Sequence, residues 1–156
     1  MDTKPRQGAS LLERALALAV EAHEGQRNAV GGPYVLHPLR VMLRLAGEAE
    51  RVVAVLHDTV ENCADRVTLE RLRREGYPEE IIDAIDRLSR RRGESYAAFV
   101  ERIVPSPLAR RVKLADLADN LDLAVLGSTE PEDMAGLRER LLAWRRVKAI
   151  EGEGID

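Results

Sequence analysis

Val52-Val53-Ala54-Val55-Leu56-His57-Asp58-Thr59-Val60-Glu61-Asn62 is the stretch on which the reading of this chain turns. An apolar run leads straight into an imidazole and a carboxylate side by side. Glu61 follows His57 by four residues and Asn62 follows Asp58 by four, so on a helix each pair shares a face. A run this apolar belongs in a core, and ionisable groups delivered there are costly unless they pair with one another or hold a metal ion. A satisfied His–Asp hydrogen bond and a metal site explain this stretch equally well. The rest of the chain separates the two.

Working outward, every periodic segment is helical. Upstream, Ser10 is a cap for a run of good helix formers from Leu11 to His23, with Gly25 at its stop. Gly31-Gly32-Pro33 marks a loop. His37-Pro38 then opens a second helix that runs to Gly47, since proline suits the first helical position. The third helix runs from Glu48 through the central stretch to about Cys63. Downstream, Thr68 caps a short helix ending at Gly76. Pro78 with Glu79-Glu80 starts another, whose Ile81, Ile82, Ile85 and Leu88 recur at helical spacing. Glu94 to Val104 is amphipathic. Ser106-Pro107 starts a helix to about Leu126, and Ser128 or Thr129 caps a last one that ends near Ile150. No segment alternates with a period of two. The expected fold is all-α, an orthogonal bundle of seven or eight helices, organised as a single domain over residues 1–156 with its core in 10–126.

Composition narrows the function. With 24 basic and 27 acidic residues the net charge is −3, so no overall field favours nucleic acid. The arginine clusters at 71–74, 87–92 and 110–113 sit in helical patterns with acidic neighbours and read as solvated faces. One cysteine, Cys63, excludes an internal disulfide. No run reaches the ~18 apolar residues of a membrane span, and no signal segment is evident, so a cytoplasmic protein is expected. Leu141-Leu142 and Trp144 on the last helix offer a face for a second copy, although core packing is the commoner use of such residues.

The chemistry-bearing residues are few. There are three histidines, His23, His37 and His57. In Val112-Lys113-Leu114-Ala115-Asp116-Leu117-Ala118-Asp119-Asn120-Leu121 a second carboxylate is set in an apolar run, with Asn120 one turn beyond Asp116. Two or three imidazoles with Asp58 and Asp116 make a mixed nitrogen and oxygen set. Such a set suits manganese, iron, cobalt or zinc better than calcium, and leaves positions open for water, as metal-assisted hydrolysis requires. Lys113, Arg27, Arg40 and Arg44 are the cations available to steady a phosphate.

Leu56-His57-Asp58-Thr59-Val60-Glu61 resembles the signature of the HD-domain metal-dependent phosphohydrolases. Together with His23-Glu24-Gly25-Gln26, Pro33-Tyr34-Val35-Leu36-His37-Pro38 and Val112-Lys113-Leu114-Ala115-Asp116, it is similar to the hydrolase domain of the RelA/SpoT family and its small stand-alone relatives. Those enzymes use manganese to remove the 3′-pyrophosphate of (p)ppGpp. The resemblance implies His37, His57, Asp58 and Asp116 as metal ligands and Glu61 as the acidic residue that handles the attacking water, with Asn62 beside it. It implies Asn120, Arg27 and Asn28 near the nucleotide. His23 is implied to be structural, and Tyr34 is read as a packing residue that shapes the loop.

Departures from that pattern bear on the substrate. Asn62 stands where the family has a second acid, and Asn28 where an arginine packs on the guanine base. Leu117, Asp119, Asp122 and Leu123 replace a basic residue, a histidine, an arginine and a threonine. A misplaced charge ~4 Å from a phosphate costs on the order of 4 kcal/mol at an effective dielectric of 20, before screening. The expectation is a metal-dependent phosphohydrolase acting on a nucleotide or related phosphate ester, smaller or less charged than (p)ppGpp, with neither nucleic acid nor membrane as partner. The alternative is a metal- or nucleotide-binding module that keeps the fold without turnover, which the asparagine at position 62 favours and Glu61 opposes.

Overall fold

The computed structural model describes residues 8–122 and 131–153, so Leu123 and the cap expected at Ser128 or Thr129 lie outside the described residues. The elements are α1 (Leu11–Ala22), α2 (Leu36–Leu43), α3 (Glu48–Leu56), α4 (Thr59–Asn62), α5 (Leu69–Arg74), α6 (Glu79–Leu88), α7 (Tyr96–Ile103), α8 (Pro107–Asn120) and α9 (Pro131–Glu153). Among the described residues there is no strand, only an isolated bridge between Arg27 and Pro33. No helix among them is long and apolar enough to cross a membrane.

Local chemistry sets most boundaries. Ser10 caps α1 through the Glu13 backbone N–H, and the Glu13 carboxylate returns a bond to the Ser10 N–H, a reciprocal capping box. Gly25, at φ +79°, lets the chain leave α1 in a left-handed turn. Thr68, Ser95 and Ser106 cap α5, α7 and α8 through their hydroxyls. α2 begins at Leu36, one residue before His37-Pro38, so Pro38 is its third residue. Proline is tolerated there because a first-turn N–H has no intrahelical partner.

The third helix differs most from expectation. It does not run unbroken to Cys63. α3 ends at Leu56, His57 and Asp58 form a turn, and a one-turn α4 follows. This split makes nine helices among the described residues. Side chains take over the bonding at the break. Thr59 Oγ1 donates to Leu56 O (2.7 Å), and His57 Nδ1 lies 2.6 Å from Ala54 O. Both side chains are buried.

α3 is the buried axis, with Val52, Val53, Ala54, Val55 and Leu56 all at 0% exposure. It packs against α1, α2, α6 and α8. Val41, Ile82, Ile85, Ile103 and Val112 close the main core around it, and a smaller cluster of Val100, Leu117, Ala143 and Val147 joins α7, α8 and α9. Trp144 packs against that smaller cluster, while Leu141 and Leu142 are exposed. Burying all sides of α3 forces its polar C-terminal end into the middle of the bundle, facing α2 and α8.

Thr59→Val tests the break. It keeps the shape, removes the hydroxyl that satisfies Leu56 O, and should cost about 1–3 kcal/mol, read as a lower urea midpoint with an unchanged slope.

Candidate active site

Three elements meet at the break. α2 brings His37 in its first turn, the α3–α4 turn brings His57 and Asp58, and α8 brings Asp116. His37 Nε2 lies 3.1 Å from Asp116 Oδ1 and 3.7 Å from Asp58 Oδ2. His57 Nε2 lies 3.3 Å from Asp58 Oδ1 and 3.6 Å from Asp116 Oδ1. The ligand atoms of His37, His57 and Asp58 all fall within 4.8 Å of one another. The four side chains named from the sequence therefore converge, although 79 positions separate the first from the last.

The donor set fits a divalent ion. The Ala54 carbonyl can only accept, so His57 Nδ1 carries a hydrogen and Nε2 is left as the lone-pair atom in the neutral ring. Nε2 is buried and has no hydrogen-bond partner. His37 is turned the same way, its Nδ1 donating to Asp119 Oδ2 at 2.8 Å. Two imidazole lone pairs thus face carboxylate oxygens, an arrangement that needs either protons or a cation between them. Ligand bonds of ~2.0–2.2 Å place neighbouring donors ~3 Å apart, close to the spacings here.

Each carboxylate is also held by further donors. Asp116 Oδ2 accepts from Lys113 Nζ (2.7 Å), and its Oδ1 and backbone carbonyl accept from Asn120 Nδ2 (2.7 and 3.0 Å). Tyr34 Oη donates to Asp58 Oδ2 at 2.5 Å, so Tyr34 does more than pack the loop. Burial first, then the charges of Asp58, Asp116 and Glu61, push the Tyr34 phenol upward, which keeps it a donor. Lys113 is itself buried, its ammonium 5.1 Å from the Phe99 ring centroid and 5.8 Å from that of Tyr96. Expected as a phosphate contact, it is committed to Asp116 instead.

The other expected residues lie around this centre. Glu61 is exposed and accepts from the Arg90 backbone N–H at 2.8 Å. Asn62 is exposed, and its backbone carbonyl accepts from Gln26 Nε2 at 3.4 Å. The helix breaks at 57–58, yet the Asn62 N–H still donates to Asp58 O at 2.9 Å, so Asp58 and Asn62 stay one turn apart across α4. Arg27 is exposed. Asn28 folds its Oδ1 back onto the N–H groups of Val30 and Gly32, organising the loop through Gly31 at φ +85°. His23 is buried, bonded through Nδ1 to Gln26 Oε1 (2.8 Å), with its ring centroid 5.0 Å from that of Tyr34 and tilted by 45°.

Three of the departures from the family pattern are accounted for within the protein. Leu117 is in the core at 0% exposure. Asp119 is also fully enclosed, its charge met by Arg40 and His37, so it presents no bare carboxylate to a substrate. Asp122 pairs with Arg44 at 3.2 Å. Sequence reasoning missed the bonds of Asp119, Arg40 and Tyr34 to the centre. The spacing of Asp119, one helical turn after Asp116 in the same apolar run, was the available signal.

This all-α fold, with a His-Asp pair at the end of its central helix, is HD-type. Compared with known proteins, the chain is RelA/SpoT hydrolase-like. It is 31% identical over 129 residues to a probable GTP pyrophosphokinase of Mycobacterium leprae, covering 75% of this chain and 16% of that protein. It is 29% identical over 127 residues to the guanosine-3′,5′-bis(diphosphate) 3′-pyrophosphohydrolase of Aquifex aeolicus, covering 74% of this chain and 18% of that one. The chain spans less than a fifth of the length of these curated relatives. A solved structure described as a metazoan orthologue of SpoT that hydrolyses ppGpp superposes with a TM-score of 0.67, covering 99% of both chains at 22% identity. No family model matches the chain.

Burial pulls the His57 imidazolium down, but Asp58 and then Asp116 outweigh it and lift the group to about 9 in the metal-free protein. A folded-state pKa above the unfolded 6.5 adds stability that is fully present below about 6.5 and is lost as pH rises toward 9. Chelator-treated protein should therefore show a falling urea midpoint between pH 6.5 and 9, and replacing both His57 and His37 by Gln should remove most of that slope, because burial lowers His37 but Asp116 and Asp58 raise it as well.

Proposed function

We propose that the protein is a phosphohydrolase dependent on one divalent ion, manganese being the simplest choice, that cleaves a phosphate ester or anhydride of a nucleotide. His37, His57, Asp58 and Asp116 would hold the ion. The observation that carries this reading is the meeting of two outward-turned imidazole Nε2 atoms with two carboxylates at 3.1–3.7 Å. The activities named for the Aquifex and metazoan proteins support the nucleotide class. When bound, the ion supplies positive charge to the phosphate and acidifies water.

The chain's own residues then have distinct tasks. Glu61, held by the Arg90 N–H, accepts a proton from the attacking water as a phosphorus–oxygen bond breaks. Asn62, next to it, can hold a water but cannot take its proton. Asn120 and Lys113 keep Asp116 aimed, and Tyr34 keeps Asp58 aimed. Of the four cations available for phosphate, Lys113, Arg40 and Arg44 are already paired with carboxylates, and Arg27 remains on the loop beside Asn28. This supports a substrate with less phosphate charge than (p)ppGpp.

Glu61→Gln should retain manganese, measured by equilibrium dialysis, and lower kcat by about 10²-fold or more. Asp116→Asn should lose the ion itself. Near-normal turnover by Glu61→Gln would remove Glu61 as the base.

A side-by-side steady-state assay with manganese decides the substrate. The expected result is a higher kcat/KM on a nucleotide carrying fewer phosphates than on ppGpp. Selective, efficient release of pyrophosphate from ppGpp would overturn the charge argument, while absence of release from any nucleotide by manganese-loaded protein would favour the binding-module alternative.

A further inference from the structure

Asp119 is a buried carboxylate at 0% exposure on the same helix as Asp116, three residues on. Its Oδ2 accepts from His37 Nδ1 (2.8 Å) and from Arg40 Nη2 (3.0 Å), and its Oδ1 accepts from Arg40 Nε (2.9 Å). Arg44 stands 3.7 Å from Oδ1. We infer that Asp119 is a positioning residue for the metal centre, acting through His37 to fix its ring orientation and the tautomer that leaves Nε2 bare. The inference rests on the proposed metal reading.

The reason lies in what each group can do. An isolated neutral imidazole has two tautomers, and only one leaves the Nε2 lone pair toward Asp116 and Asp58. A carboxylate only accepts, so Asp119 requires the hydrogen on Nδ1. Buried alone, that charge would be costly; Arg40 compensates it with a two-point contact while remaining partly open to solvent. The second imidazole is oriented differently, by the neutral Ala54 carbonyl.

The competing account is a salt bridge that merely ties α2 to α8. The two accounts diverge for D119N, D119L and R40M. An amide oxygen in the Oδ2 position still accepts from both His37 Nδ1 and Arg40 Nη2, so D119N keeps the acceptor while giving up the charge. D119L removes the acceptor and leaves the His37 ring free to carry its hydrogen on Nε2, the atom needed by the ion. R40M removes the cation of the salt bridge and keeps the contact to His37.

The experiment measures manganese affinity by chelator competition for wild type, D119N, D119L and R40M, with the fold monitored by circular dichroism and the His37 ring followed by ¹⁵N NMR on zinc-loaded samples. Weakening by about 10–100-fold in D119L is expected, with D119N and R40M keeping most of the wild-type affinity. A D119L that binds as wild type overturns the inference, as does a D119N no better than D119L, and equal weakening in R40M and D119L favours the mere salt bridge. If D119L fails to fold, wild-type protein decides. A downfield, slowly exchanging His37 Nδ1 proton is expected, and a rapidly exchanging one overturns the proposal. Wild-type protein that binds no divalent ion sinks the metal reading, whereas equal binding by wild type and D119L sinks only the role of Asp119.

Discussion

Two imidazole lone pairs and two carboxylates brought within 3.1–3.7 Å of one another in a nearly dry interior demand a positive charge between them. Protons meet that demand in the metal-free protein, where the carboxylates lift His57 to about 9 and also raise His37. A divalent ion would meet it better, because it binds all four groups at once. Much of the surrounding structure serves to prevent the four groups from escaping this arrangement. Each has a further anchor: Nδ1 of His57 on Ala54, Nδ1 of His37 on Asp119, Oδ2 of Asp58 on Tyr34, and Asp116 on Lys113 and Asn120.

These supports come from three separate elements, which explains why the core is built around α3. An apolar helix buried on every side can place its C-terminal turn deep in the bundle, where α2 and α8 reach it. The break at His57-Asp58 is a consequence of that placement. The turn is held by the hydroxyl of Thr59 and the Nδ1–H of His57.

Charge is the second theme. Arg40, Arg44 and Lys113 sit near the centre, yet each answers a carboxylate of this chain: Asp119, Asp122 and Asp116. Cations neutralised in this manner contribute little to an incoming polyphosphate. Pairing within the protein therefore leaves less positive charge at this centre than the number of cations suggests. Asp119 itself imposes no penalty on a substrate, because burial and Arg40 enclose its charge.

The amino-acid pattern alone determined the helical class, most helix starts and the residue types at the centre. Those follow from local rules: hydroxyl caps at Ser10, Thr68 and Ser106, apolar spacing at 3.6 residues, and ionisable groups set in apolar runs. Only the tertiary structure decided which way those groups face. The break after Leu56 depends on two side-chain hydrogen bonds that compete with the helix ladder, and no periodicity encodes that competition. Lys113, read from its chemistry as a phosphate contact, is turned inward because Asp116 lies three residues along the same helix, in a site too enclosed to leave the carboxylate unpaired. Asp119 and Arg40 are 79 positions apart, so their pairing, and with it the orientation of His37, exists only once α2 and α8 are packed.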